Sequence, residues 1–182
     1  ACEKGQQWST ALSLLTQVRE ERLQPNVITY NASISACEKG QQWSTALRLL
    51  TQIREERLQP NVITYSASIS ACEKGQQWST ALRLLTQVRE ERLQPDVITY
   101  NASISACKQG QQWSAALRLL TQIREERLQP DVITYNASIS ACEKGQQWSP
   151  APRLLTQIRE VRLQPNVTTY NASISACEKG QQ

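Results

Sequence analysis

Ile28, Asn31, Ser35 and Lys39 follow one another at intervals of three and four residues. On an α-helix of 3.6 residues per turn that spacing gathers them into an arc of about 80°. The stripe carries an apolar side chain, an amide, a hydroxyl and a cation. Such a row can hold a base between apolar groups, hydrogen-bond its edge and meet a phosphate, which is the chemistry of single-stranded nucleic-acid binding. Asn and Ser are indifferent helix formers, so helix stability does not account for them. Catalytic chemistry is poorly supplied. His is absent, which excludes Ser-His-Asp and Cys-His nucleophile pairs and any His-containing zinc site.

The cysteines are not arranged as a metal or disulfide framework. Cys2, Cys37, Cys72, Cys107, Cys142 and Cys177 lie 35 residues apart and form no CxxC pair. Neighbouring copies in a helix stack would stand ~8–10 Å apart, beyond the roughly 7 Å Cα separation that a disulfide spans. They are expected to be small buried apolar residues. No metal, cofactor, small-molecule substrate or catalytic constellation is expected.

The elements that position the stripe come from a 35-residue repeat. Residues 26–60 recur as 61–95, 96–130 and 131–165; residues 1–25 read as the second helix of an earlier copy and 166–182 as the first helix of a later one. Each copy predicts a helix-turn-helix. The first helix begins after Pro25 with Asn26 as N-cap and ends at Lys39, with Gly40 as its stop. Val27, Tyr30, Ile34 and Cys37 form its core face. The second helix is expected to be capped by Ser44 and to bury Ala46, Leu47, Leu49, Leu50 and Ile53. Arg54, Glu55, Glu56 and Arg57 would form its solvated end, with Trp43 as an apolar plug between the two helices. A single helix pair cannot cover its own apolar faces, and stacked copies can. The expected fold is therefore all-α: an α-solenoid, a right-handed superhelix of helix-turn-helix repeats.

The run V-I-T-Y-N-x-x-I-S-A-C-E-K-G, followed by A-L-x-L-L and L-Q-P-[ND], resembles the pentatricopeptide repeat along essentially the whole chain. The tetratricopeptide repeat has a shorter period and a first-helix Trp–Leu–Gly–Tyr signature that this chain lacks. The resemblance implies single-stranded RNA as partner, one base per repeat, chosen by the residue after Thr-Tyr together with the residue after the terminal Pro. The implied pairs are Asn31 with Asn61, Ser66 with Asp96, Asn101 with Asp131, and Asn136 with Asn166; Asn26 and Asn171 are half-readers. Ile28, Ile63, Ile98 and Ile133 would be wedges between bases, with Thr168 in that place in the last copy, and Lys39, Lys74, Lys144 and Lys179 would meet phosphate. By the family's rule Asn–Asn favours C, Ser–Asp G and Asn–Asp U, which implies 5′-CGUC-3′. The family works mostly in mitochondria or plastids.

Blander roles compete for the same residues. Asn26, Asn61, Asp96, Asp131 and Asn166 are good helix caps in their own right, and Lys39 beside Gly40 can oppose a helix dipole. The net charge of +4 is too mild to argue for RNA alone. The alternative to an RNA-binding module is a structural or protein-binding scaffold. Only eight of the 35 columns differ among the four full copies, and both reading columns are among them, which favours readout. Gln109 replaces a lysine and is expected to remove a phosphate contact. Pro150 and Pro152 enter one second helix, so that layer is expected to be the weakest. No run of ~18 apolar residues exists to cross a membrane. With no Met, even at position 1, the chain reads as an internal segment. Its half-repeats, lacking polar caps, are expected to fray or to self-associate end to end.

Overall fold

The computed structural model describes residues 2–180, with side chains described from residue 7 onward. Among the described residues there are ten α-helices and no strand. Two compact units divide them. The first, within residues 1–95, holds α1 (Cys2–Glu20), α2 (Val27–Lys39), α3 (Trp43–Glu55), α4 (Val62–Lys74) and α5 (Trp78–Glu90). The second, within residues 96–182, holds α6 (Val97–Gln109), α7 (Trp113–Glu125), α8 (Val132–Lys144), α9 (Pro150–Glu160) and α10 (Val167–Lys179). Within each unit the first helices of successive copies pack side by side, α2 on α4, α6 on α8 and α8 on α10. α3, α7 and α9 each pack against the first helices on both sides of them, while α1 packs on α2 and α5 on α4. The fold is an all-α helical-repeat solenoid.

The expected core face is the observed one. Tyr30, Ile34 and Cys37 are fully buried against Ala46, Leu49 and Ile53, and Leu15 and Ala71 of the flanking copies close the cluster. In the second unit Tyr135, Ile139 and Cys142 meet Ala151, Leu154 and Ile158 in the same way. Val27 and Leu47, both expected inside, are only half-buried. Buried serines are satisfied locally: the Ser68 hydroxyl donates to the Thr64 carbonyl one turn back at 2.8 Å. The cysteine side chains at 37, 72, 107 and 142 are buried and that of Cys177 is half-buried; Cys2 lies outside the described side chains.

Two expectations are corrected. The second helix starts at Trp43, and its N-cap is Gln42 without a side-chain cap bond, so Ser44 lies inside the helix. Gly40 is not a left-handed stop: its φ is −82°, and the left-handed residue is the next one, Gln41, with φ 58°. The glycine is required by a close approach instead. A Cβ on Gly40 would lie 2.4 Å from Trp8 Cδ1, and one on Gly75 would lie 2.3 Å from Trp43 Cδ1. Trp8, Trp43, Trp113 and Trp148 therefore each pack on the end of the first helix of the following copy, and Trp43 also packs against the core of its own pair as expected.

Arg54, Glu55, Glu56 and Arg57, expected to be solvated, are exposed, and two of them also bond to a neighbouring layer. Arg19 donates to the Tyr30 hydroxyl and to Glu56, the latter at 2.5 Å, so the carboxylate joins one layer to the next. The following layer repeats this with Arg54, Tyr65 and Glu91, where the tyrosine hydroxyl donates to Glu91 at 2.6 Å. Burial, reinforced by the neighbouring glutamate, pushes the Tyr30 and Tyr65 hydroxyls up to about 12.

The proline-bearing layer is altered as its sequence suggests. α9 has 11 residues where α3, α5 and α7 have 13. Ser149 has helical dihedrals and makes no cap bond, and Trp148 is 52% exposed.

Candidate functional site

The stripe begins at the start of each first helix. Pro60 cannot continue a helix, and Asn61 behind it adopts an extended conformation (φ −115°, ψ 179°) that frees its side chain to cap α4. Asn61 Oδ1 accepts the Thr64 N–H at 3.0 Å, while the Asn61 N–H donates to Thr64 Oγ1 at 3.1 Å. This is a capping box in which threonine takes the place usually held by Glu or Gln.

The threonine also reaches the preceding copy. Its hydroxyl proton goes to Asn31 Oδ1 at 2.6 Å, and Asn31 Nδ2 donates to Asn61 Oδ1 at 3.2 Å. The two residues that the resemblance pairs are thus joined directly and through Thr64, which is fully buried. The second unit repeats the arrangement. Thr134 Oγ1 donates to Asn101 Oδ1 at 2.6 Å and Asn101 Nδ2 donates to Asp131 Oδ1 at 3.2 Å. Thr169 Oγ1 donates to Asn136 Oδ1 at 2.6 Å and Asn136 Nδ2 donates to Asn166 Oδ1 at 3.4 Å. Asp96 caps α6 by accepting the Thr99 N–H at 2.8 Å. Ser66 is half-buried on α4, and Asn171 is exposed on α10.

These bonds fix what each pair presents. Because Asn61 Oδ1 accepts from the Thr64 N–H and from Asn31 Nδ2, its amide orientation is set, and Nδ2 is the end left over. In Asp131 the Thr134 and Asn101 bonds fall on Oδ1, so the other end is a carboxylate oxygen. Exchanging Asn for Asp preserves the cap and replaces a donor by an acceptor. Burial opposes the Asp131 charge, yet the Thr134 amide and hydroxyl and the Asn101 and Ile133 amides hold its carboxyl below the ordinary aspartate value.

Beside these pairs stand Ile28, Ile63, Ile98 and Ile133, exposed to 75, 65, 67 and 63%. A large apolar residue so exposed in every copy is not core. Thr168, in the same place on α10, is also exposed. Lys39, Lys74, Lys144 and Lys179 lie at the far ends of their helices and are exposed. Lys74 is paired with Glu38 at 2.7 Å and Lys179 with Glu143 at 2.8 Å. Lys144 bonds the neutral Gln109 at 2.8 Å. Gln109 and Lys108 therefore leave Lys144 without the glutamate that neutralises its counterparts, so this layer keeps more positive charge. Sequence reasoning missed the threonine clamp, although the spacing Asn/Asp-x-x-Thr carries a capping-box signal. Among the described residues no cluster of metal ligands occurs, and no helix is long and apolar enough to cross a membrane.

A sequence model of the pentatricopeptide repeat domain matches residues 1–40, 13–75, 83–145 and 118–179. The pentatricopeptide repeat protein PPR10 from maize is similar in structure, with TM-score 0.74 and 28% identity over 93% of this chain and 24% of that one. PPR10 in complex with an 18-nt psaJ RNA element gives TM-score 0.75 and 23% identity over 90% of this chain and 24% of that one. The PPR domain of Arabidopsis thaliana protein-only RNase P 1, in complex with tRNA, gives TM-score 0.80 and 15% identity over 94% of this chain and 90% of that one. The chain thus spans about a quarter of the length of PPR10. No curated protein matches it.

Proposed function

This chain belongs to the pentatricopeptide repeat family, and from that premise we propose that it is a non-catalytic module for sequence-selective binding of single-stranded RNA, one base per repeat, with a core site 5′-CGUC-3′. The repeat frame is 26–60 and its three successors, with half-repeats at 1–25 and 166–182. The RNA bound by PPR10 and by the PPR domain of the Arabidopsis enzyme supports the ligand class.

The observation that carries the base assignment is the threonine-clamped pair. At Asn31–Asn61 and Asn136–Asn166 the terminal group is an amide NH2, and cytosine offers an acceptor at its pyrimidine N3 position. At Asn101–Asp131 the terminal group is an ionised carboxylate oxygen, and uracil offers an N–H at the same position. Ser66 and Asp96, assigned by register alone, pair an acceptor with the N–H of guanine. A mismatched pair would leave a polar group unsatisfied, at about 1–3 kcal/mol. Ile28, Ile63, Ile98 and Ile133 separate adjacent bases. Lys144 is the strongest phosphate contact, since Lys74 and Lys179 are already paired with glutamates. Exposed Val167 and Ile174 on α10 support end-to-end self-association as a secondary property.

Four readers at ~1–3 kcal/mol of stacking per base must offset roughly 4–15 kcal/mol of association cost, so the expected Kd is micromolar or weaker. Fluorescence anisotropy at fixed salt, with CGUC in an A-rich strand against scrambled strands, tests the proposal. Preference for CGUC supports base readout. Equal, salt-sensitive binding to every strand reduces the interface to electrostatics, and no binding to any strand points to a scaffold.

A further inference from the structure

One layer of the second unit departs from its neighbours at two places. In the first unit two arginines of the Arg–Tyr–Glu network meet carboxylates: Arg19 meets Glu56, and Arg54 meets Glu91, both at 2.5 Å. Each of those glutamates is the C-cap of its second helix. The C-cap of α9 is Val161. Arg124 donates to the Tyr135 hydroxyl as its counterparts do, but its other partner is the neutral Gln157 Oε1, at 3.1 Å.

The second departure borders the space beside that guanidinium. Pro150, at the start of α9, stands where the other copies have Thr45, Thr80 and Ala115. A cavity of about 260 Å³ lies between α7 and α9. Leu117, Leu120 and Leu154 form its apolar wall, and Arg124, Arg153 and Ser149 supply its polar groups. The start of α9 offers few backbone donors. Pro150 and Pro152 have no N–H, and the Ala151 N–H is bonded to the Trp148 carbonyl at 3.1 Å. Recognition of an anion therefore falls to two guanidinium groups, whose planar forks suit a carboxylate.

We propose that this cavity binds a carboxylate carried on a short apolar stem. The carboxylate takes the role that Glu56 and Glu91 play in the first unit, and the stem lies against Leu117, Leu120 and Leu154. A volume just below the ~300–1,000 Å³ of drug-sized pockets suits a short stem. The source is either a free aliphatic acid or the C-terminal residue of an apolar peptide. The site is independent of the RNA-reading stripe, since it is formed by second helices.

The test is an amide-resolved NMR titration of the full chain with hexanoate, hexanamide, inorganic phosphate, and an acetylated tripeptide ending in leucine as free acid or amide. Hexanoate or the peptide acid should shift resonances at 117–124 and 149–157, and the amides should not. Binding by hexanoate identifies a small-molecule source, and binding by the peptide acid alone identifies a polypeptide C-terminus. Val161→Glu supplies a carboxylate from the chain itself. It should raise the melting temperature and weaken ligand binding by up to about fivefold, the equivalent of one exposed ion pair. Arg124→Gln should weaken binding without the gain in melting temperature. Equal shifts from hexanamide, equal binding of phosphate, an unchanged affinity in Val161→Glu, or no shift with any acid would overturn the assignment.

Discussion

Replacing Asp131 by Asn is expected to change the third base of the site from U to C while leaving the fold almost untouched. The structure contains its own control for the first half of that statement. Asn61 caps α4 through Thr64 at 3.0 Å and accepts from Asn31 at 3.2 Å; Asp131 caps α8 through Thr134 at 2.8 Å and accepts from Asn101 at 3.2 Å. Asn and Asp are comparable N-caps, so the stability change should stay within about 0.5 kcal/mol. At the base edge the exchange turns an acceptor into a donor. A mismatch of about 1–3 kcal/mol corresponds to roughly 5- to 150-fold in affinity. Loss on the CGUC strand and gain on a CGCC strand should each fall in that range. Anisotropy titrations of both proteins on both strands at one salt concentration give the four constants of a double-mutant cycle. The exchange should also be insensitive to pH between 5 and 8. The folded carboxyl lies below its ordinary value, so it stays ionised there, and its contribution to stability is lost only as pH falls through the lowered folded value. Equal weakening on both strands, or no change on either, would refute the donor–acceptor argument and leave Asp131 a cap alone.

Lys144→Ala should weaken binding to every RNA alike and reduce the slope of log K against log salt by about 0.7; Lys74→Ala, already neutralised by Glu38, should do less in the same titrations. Gly75→Ala places a methyl group 2.3 Å from Trp43 Cδ1 and should cost about 1–3 kcal/mol by overpacking, read by denaturant unfolding and partly relieved in a Trp43→Ala background. Arg57 has φ 57°, where a β-carbon is strained, so Arg57→Gly should stabilise by roughly 0.5–1 kcal/mol, seen as a higher melting temperature. Burial pushes the Cys72, Cys107 and Cys142 thiols up to about 11 and raises that of Cys37. A thiol reagent at pH 8 should therefore modify half-buried Cys177 well before these four, which should react only on unfolding, as resolved by peptide mass spectrometry.

Much of this molecule was legible without coordinates because the repeat multiplies each local signal. A period of 35 residues with two apolar faces per copy admits only stacked helix pairs. Asn26 and its counterparts announce helix starts, and the burial of Tyr30, Ile34 and Cys37 follows from their shared arc. The stripe of Ile28, Asn31 and Lys39 could be drawn on the same wheel. These properties depend on spacing within one helix, which the sequence states directly.

What sequence left open were the contacts between copies, because a helical wheel describes one helix and carries no information on which neighbour meets it. The Gly40 stop was read as a matter of dihedral angle, whereas the approach of Trp8 decides it. Glu56 is exposed as it looked beside Glu55 and Arg57, but only stacking brings Arg19 of another layer within 2.5 Å of it. Thr64 looked like a conserved-sounding letter in a signature, yet the geometry makes it the clamp that sets the amide orientation of Asn31 and Asn61. Local periodicity determined the helices and their inner faces. Packing of one layer on the next decided the polar partners, since hydrogen bonds between residues some 30 positions apart exist only once the chain has stacked on itself.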